Sequence, residues 1–332
     1  MSRILELRVK AKAVKRRVVL PEGNDDRVVR AASFIAKESL ADVCLLGNKE
    51  DVKKLAAKNS ISLEGVNVLD PLIHEKRGEI VNSYYELRKA KGMTLEEADK
   101  FLNEKTVFYA AMMVKLGMAD GFVGGASCAT ADVARAAIHC IRLDKEIGTL
   151  SSCFVMEIND CPYGDKGLFV YADCGVIPYP SPRQLAGIAI ASSDLFARLF
   201  GVKPRVAMLS YSTKGSASGE TIDGINDAVA KVKERRPDIL IEGELQVDAA
   251  LVPEVARKKC GESEVAGKAN VLIFPNLDAG NIAYKLTERL ARAKAIGPIL
   301  QGLESPCSDL SRGCSWEDVV DAVVITAVRV VK

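Results

Sequence analysis

The chain has 332 residues, which at a prior of about 150 residues per domain suggests two domains, and its 48% hydrophobic and 27% charged content excludes disorder of the bulk. Its 46 basic residues are balanced by 44 acidic ones, a formal charge of +2, which argues against nucleic acid as a main partner and leaves only local basic pockets for small anions. No apolar run reaches the roughly 18 residues of a membrane span, so no membrane partner is expected.

The basic, amphipathic opening MSRILELRVKAKAVKRR lacks an apolar centre and a small-residue cleavage site, so it reads as a first helix and not as a targeting segment. Short β-branched runs then alternate with longer amphipathic stretches. Strands are expected at 17–20, 41–46, 66–69 and 121–123, with helices over DDRVVRAASFIAKES and GEIVNSYYELRKA. LSSCFVMEI, the turn DCPYGDKG and LFVYADC follow, predicting an antiparallel hairpin of strands 150–156 and 168–171. Further strands at 205–210, 240–244, 271–274 and 299–301 are interleaved with SPRQLAGIAIASSDLFARLF and AGNIAYKLTERLARAK. Such alternation is α/β with largely parallel sheets. The pattern changes after residues 145–149, and a second crossing falls near 297–298. The last helix, SWEDVVDAVVITAVRVV, has one short strand before it, too little for a domain of its own. The expected domains are therefore residues 1–148 with 299–332, discontinuous in sequence, and residues 149–298.

Generic signatures are missing: there is no P-loop, no G-x-G-x-x-G, no G-x-S-x-G and no H-E-x-x-H. Nine cysteines stand singly, without a C-x-x-C pair, which suits the reducing cytoplasm. With only His74 and His139 besides, a zinc site is not expected.

Four clusters could carry chemistry. In DLSRGCSWEDVVDA, Ser311, Arg312, Cys314, Glu317 and Asp318 gather where a turn enters a helix, a place that favours anions. Ser315 and Asp318 also match a capping box, in which Asp318 only satisfies the helix start. In GGASCATADVARAAIHC a strand end runs into a hydroxyl-rich turn and a helix with Asp132 and Arg135, the position where open α/β sheets bind ligands. There the structural alternative is an N-cap by Thr130 with Arg135 on a solvated face; His139 reads as packed core and His74 as surface. AMLSYSTKGSASGET is a third strand-end loop, able to hold a phosphate through N–H groups and Lys214, or else a flexible polar loop. In YYELRKAKG, Arg88, Lys89 and Lys91 make a basic patch, ordinarily a solvated helix face.

Taken together, YELRKAKGMT, DGFVGGASCATADVAR, AMLSYSTKGSA, EGELQVDAALVPEVA, VAGKANVLIFPNLDAGNIAYK and GPILQGLESPCSDLSRGCS resemble the phosphate acetyltransferase (phosphotransacetylase) family, in order from VLPEGNDDR to the last helix. The resemblance implies two three-layer α/β/α domains of the isocitrate dehydrogenase-like fold, with the active site in the cleft between them. It implies reversible acetyl transfer between coenzyme A and phosphate by direct attack, with no cofactor required in the chemical step; coenzyme A is a substrate. By the same resemblance, Asp318 matches the base that deprotonates the thiol. Ser311 and Arg312 match residues that orient reactants and stabilise charge. Arg88 and Arg135 match coenzyme A-binding arginines, and Thr130 is the best hydroxyl of its loop for a similar contact. Cys161 matches a cysteine that is not essential to chemistry. A homodimer is implied as well. Two positions depart from the family pattern: the loop 127–131 carries fewer hydroxyls, and Trp316 is bulkier than expected.

The chemistry is consistent with those roles. A thiol near pKa 8.5 needs a base at neutral pH. An ordinary carboxylate is a weak one, which desolvation would improve. A guanidinium fork can hold two phosphate or carbonyl oxygens at once. Competing readings are phosphate butyryltransferase, a decarboxylating dehydrogenase on the same fold, and a silent regulatory module; intact Ser311, Arg312 and Asp318 argue against the last.

Overall fold

A computed structural model describes residues 3–330 and divides into two compact units: Met1–Arg142 with Leu303–Lys332, and Leu143–Gly302. Met1 and Ser2 of the expected first helix, and Val331 of the expected last one, lie outside the described residues. Among the described residues no helix is long and apolar enough to cross a membrane.

Unit 1 opens with α1 (Arg3–Val14), β1 (Arg17–Leu20), α2 (Asp26–Lys37), β2 (Asp42–Leu46), α3 (Lys49–Lys58) and β3 (Asn67–Leu69). Three helices follow, α4 (Arg77–Arg88), α5 (Leu95–Glu104) and α6 (Thr106–Lys115), then β4 (Gly121–Gly124) and α7 (Thr130–Ala136). Unit 2 contains β5 (Ser151–Glu157), β6 (Leu168–Ala172), α8 (Pro182–Phe200), β7 (Arg205–Leu209), α9 (Glu220–Arg235) and β8 (Leu240–Leu245). It continues through α10 (Val247–Leu251), α11 (Pro253–Cys260), β9 (Val271–Ile273), α12 (Leu277–Leu290) and β10 (Lys294–Gln301). The chain then returns to unit 1 with β11 (Cys307–Asp309) and α13 (Trp316–Arg329).

The strands of unit 1 run in the order β3-β2-β1-β4-β11, every neighbouring pair parallel. Parallel strands covered on both faces need continuous apolar runs, and Val18, Val19, Leu20, Leu45, Phe122 and Val123 are accordingly buried. α13 packs against α1, α2 and β4 and buries Val319, Val320, Val323 and Val324. One charged group goes in with that helix: Asp321, whose side chain is fully covered, pairs with Arg8 of α1 at 3.0 Å. Breaking such a pair costs more than never having it, because the remaining charge stays desolvated.

Unit 2 has strand order β10-β5-β6-β9-β7-β8. β10-β5-β6 is antiparallel and the rest parallel, so the hairpin read from the turn DCPYGDKG is present as β5-β6. Phe154, Met156, Phe169, Tyr171, Leu209 and Leu272 belong to its core. Two strand expectations change. The segment expected at 299–301 is the end of an eight-residue strand, whose register shifts between Ile296 and Ile299 and so tolerates Pro298. β11 was not expected, because Cys-Ser-Asp contains no β-branched or aromatic residue; it is held by pairing with β4.

Candidate active site

β1, β4 and β11 lie side by side in parallel, with Val19 opposite Phe122 and Asp309 opposite Gly124. Their carboxyl ends therefore deliver Glu22, the loop from Gly125 to Thr130, and the turn from Leu310 to Cys314 to one edge of the sheet, where ligands of parallel sheets bind. The glycine-rich loop is already filled. Buried Glu22 accepts the N–H groups of Gly125 (3.0 Å), Ala126 (2.9 Å), Ser127 (2.7 Å) and Cys128 (3.0 Å), together with the Ser127 hydroxyl at 3.0 Å. A nest of N–H groups that sequence reasoning offers to a ligand thus holds the chain's own carboxylate.

Arg27, in the first turn of α2, ties the loops together. Its guanidinium donates to the carbonyls of Arg312 and Cys314, both at 2.9 Å, and of Ala126 at 2.8 Å. The N-cap residue Asp25 receives its remaining N–H groups at 3.0 and 2.6 Å. That hydrogen bond outweighs burial and holds the guanidinium pKa above its ordinary value. At Asp25, burial would raise the pKa, but the bonds from Arg27 leave the carboxyl below its usual range.

Against this frame Ser311 and Arg312 are exposed. Ser311 Oγ accepts the Gly313 N–H at 3.2 Å, and the Arg312 side chain bonds no described residue. Asp318 forms the capping box that its spacing suggested: Oδ2 accepts the Ser315 N–H at 2.8 Å, and Ser315 Oγ accepts the Asp318 N–H at 3.1 Å. Its other oxygen, Oδ1, bonds no described residue. The bulk of Trp316 is absorbed by α2, edge-on to Phe34 at 5.3 Å and beneath Arg30 at 4.9 Å. Thr130 is not the N-cap of α7; Ala129 holds that position and Thr130 is the first helical residue. The backbone leaves the extended region one residue earlier than the hydroxyl pattern indicated.

Arg88 and Arg135, far apart in sequence, converge on His139. α4 ends at Arg88, a tight turn at Lys89–Lys91 follows, and α7 runs into a π-helical turn at Ala137–Ile141 that carries His139. Burial, then the charges of Arg88, Lys91 and Arg135, lower the imidazole pKa. Arg135 also bonds Asp132 at 2.6 Å, Lys105 holds the other oxygen of Asp132 at 3.0 Å, and Lys89 is paired with Glu86. His139 is therefore half-buried beside cations and 6.1 Å from the Phe108 ring, not enclosed in apolar core. His74 is likewise half-buried, with Nδ1 2.9 Å from the Tyr109 hydroxyl, and not a surface group.

Sequence reasoning singled out neither Glu22 and Arg27, inside VLPEGNDDR, nor Asp309. Asp309 is 1% exposed, and both its oxygens are without a hydrogen-bond partner of normal geometry. Burial pushes its pKa up to about 7 despite the Thr130 hydroxyl and the Leu310 N–H at hand. Burial also pushes the Cys128 thiol up to about 12 and Cys314 up to about 11, so neither supplies a thiolate nucleophile near neutrality.

In unit 2 the loop after β7 is also occupied from within. Glu244 accepts the Gly215 N–H at 2.7 Å and the Ser212 hydroxyl at 3.0 Å, and Lys214 pairs with Glu242 at 3.4 Å. The loop is bonded in place and not a free polar excursion. Cys161 packs at the edge of the unit 2 core.

The profile of the "Phosphate acetyl/butaryl transferase" family matches residues 2–327. A phosphate acetyltransferase of Acetivibrio thermocellus is 51% identical over 329 residues, 99% of this chain and 98% of that protein. Among solved structures, a phosphotransacetylase from Streptococcus pyogenes aligns with TM-score 0.92 and 39% identity, covering 99% of both chains. A 4-hydroxythreonine-4-phosphate dehydrogenase from Klebsiella pneumoniae shares the fold alone, at TM-score 0.55 and 12% identity over 95% of this chain and 98% of that one. A profile spanning nearly the whole length, and a full-length relative with half its residues identical, settle the matter: the chain belongs to the phosphate acetyl/butyryl transferase family and is an acyltransferase with the mixed α/β fold of phosphotransacetylases.

Proposed function

We propose that the chain carries out the family's phosphate acetyl transfer with Asp318 as base and with Ser311 and Arg312 as the groups that orient the reactants. Asp318 takes the proton of the coenzyme A thiol, and the thiolate sulfur attacks the acetyl carbonyl of acetyl phosphate. The carbon–oxygen bond to phosphate then breaks, and phosphate leaves with the electron pair. Arg312 carries the fixed charge that phosphate and the developing oxyanion require. The observation behind this reading is the turn itself: Arg27 fixes its carbonyls, while the Arg312 guanidinium and Asp318 Oδ1 stay open. Capping uses one oxygen of Asp318 and catalysis the other.

Arg88 and Arg135 bind the phosphates of coenzyme A, and Thr130 contributes a hydroxyl from the start of α7. Their convergence on His139 supports a polyanion subsite at that place. Coenzyme A is a substrate, and the chemical step takes no metal and no further cofactor. We place the enzyme in the cytoplasm, a compartment suited to nine free cysteines. It acts as a homodimer; the exposed stripe of Ile282, Leu286 and Leu290 along α12 supports self-association. The discontinuous plan expected at 1–148 with 299–332 and at 149–298 is supported by two compact units, which divide a few residues away, after Arg142 and before Leu303, so that β10 stays whole.

The test is thiol release from acetyl-, propionyl- and butyryl-coenzyme A, with and without phosphate and without added metal. Phosphate-dependent release, fastest with the acetyl ester, is expected. Equal release without phosphate would indicate a thioesterase, and a preference for the butyryl ester would move the enzyme to the butyryl branch.

A further inference from the structure

Two buried carboxylates flank Gly125 at the carboxyl end of β11, and only one is well supplied with donors. Glu22 takes four backbone N–H groups and a hydroxyl. Asp309, equally hidden from water, has none of normal geometry. Oδ1 of Asp309 rests directly on Gly125, where a Cβ would collide with it and where φ is +111°. Around Asp309, Glu22 follows β1, Cys128 and Thr130 come from the loop and α7, and the Leu310 N–H is on its own strand. From α13, Thr326 bonds Ser308 at 2.8 Å and Arg329 donates to the Cys307 carbonyl. Arg27 is taken up by Asp25 and three carbonyls. No cation among these groups pairs with Asp309. A carboxyl shut away from water and short of donors holds its proton to higher pH, and the nearby Glu22 adds to that effect.

We propose that Asp309 is a positioning residue that works as a neutral carboxylic acid, holding the loop after β4 and the Ser311–Arg312 turn after β11 in register, and that its ionisation drives them apart. In the neutral state the side chain lies against Gly125 without repelling Glu22. Ionised, it sets a second charge beside Glu22 with no donor to receive it, and the soft elements that can yield are the two loops. A pKa raised to about 7 places that change in the physiological range. Its kinetic consequence rests on the acyl-transfer reading above, since Ser311 and Arg312 are the groups displaced.

The experiment compares the full-length enzyme with Asp309→Asn, which keeps the shape of a neutral acid and cannot ionise. Phosphate-dependent thiol release is followed from pH 5.5 to 9, and the ratio of wild type to variant is taken, so that substrate ionisations cancel. The ratio is expected to fall by about tenfold or more between pH 6 and 9, since the neutral fraction of a group with pKa near 7 drops about tenfold per unit above it. A ratio that does not change with pH overturns the proposal, as does a folded variant already about a hundredfold impaired at pH 6. Infrared spectroscopy of the wild type supplies an arm that needs no turnover and no folded variant. A carboxylic acid band lost as the pH rises through neutrality is expected, and absence of any such band at pH 6 overturns the proposal. An enzyme inactive at every pH would defeat the acyl-transfer reading, and the infrared titration would still decide Asp309.

Discussion

In unit 1 the loop after β4 is held by Glu22, and in unit 2 the loop after β7 is held by Glu244; both are buried carboxylates gripped by backbone N–H groups. Their neighbours differ. Beside Glu244 stands Glu242, paired with Lys214 at 3.4 Å. Beside Glu22 stands Asp309, with no cation and only the Thr130 hydroxyl and the Leu310 N–H nearby, neither in normal hydrogen-bond geometry. The pKa directions follow. Burial would raise Glu244, but bonds from Gly215 and Ser212 overcome it and leave the carboxyl below its ordinary value. Burial raises Asp309 to about 7 with too little to oppose it. The same strand-end device therefore stabilises one unit as pH rises and strains the other.

The largest effect is expected at the open end of unit 1. Asp318→Asn should lower turnover by about 10²–10⁴-fold, the usual worth of a general base, with the thermal midpoint nearly unchanged because Asn still caps. Retention of more than about a tenth of turnover would leave Asp318 as a cap alone.

Glu22→Gln comes next. It places an amide NH₂ against a ring of N–H donors, and should cost about 2–4 kcal/mol of stability by denaturant unfolding. A loss below about 0.5 kcal/mol, the scale of an ordinary surface change, would mean the nest does not depend on the charge.

For Asp309 the sign follows from linkage. Its folded-state pKa is raised, so its contribution is fully present below about pH 4 and is lost as pH climbs toward 7. Between pH 5 and 8 the wild type should lose about 2–3 kcal/mol relative to Asp309→Asn, about 1.4 kcal/mol for each pH unit up to the folded pKa. Parallel stability curves for the two proteins would contradict this.

Arg88→Ala and Arg135→Ala should each raise the KM for coenzyme A about 10- to 150-fold, or about 1.5–3 kcal/mol, with little change for acetyl phosphate. Dephospho-coenzyme A should narrow the gap for the arginine that grips the 3′-phosphate. Equal effects on both substrates would return these side chains to ordinary surface charge.

The smallest effect is expected in unit 2. Glu244→Gln removes fewer bonds than Glu22→Gln and should cost about 1–2 kcal/mol near pH 7. Because the Glu244 pKa is lowered, that cost should shrink as pH falls through the acid range, opposite in direction to Asp309. Urea unfolding at pH 4 and pH 7 would show whether the two loops have opposite slopes.

Much of the architecture was legible because it rests on local periodicity. Val18–Leu20 and Phe122–Val123 are apolar runs of strand length, and Ser315-x-x-Asp318 announces the cap that is present. The antiparallel hairpin followed from its turn residues. β11 was not legible: its three residues have weak strand preference, and pairing with β4 brings them into the sheet. The π-helical turn under His139 was equally hidden, so the meeting of Arg88 with Arg135 could come only from the family resemblance.

The amino-acid order by itself set the alternation of elements and the capping box at Ser315 and Asp318, which depend on interactions within a few residues. Which donors remain for each buried group depends on long-range packing. Glu22 reaches across about a hundred positions to occupy the glycine-rich loop, and Arg27 reaches still farther to the carbonyls beyond β11. A carboxylate becomes costly or harmless according to the partners that folding brings to it, and for Asp309 folding brings burial and Glu22 but no cation.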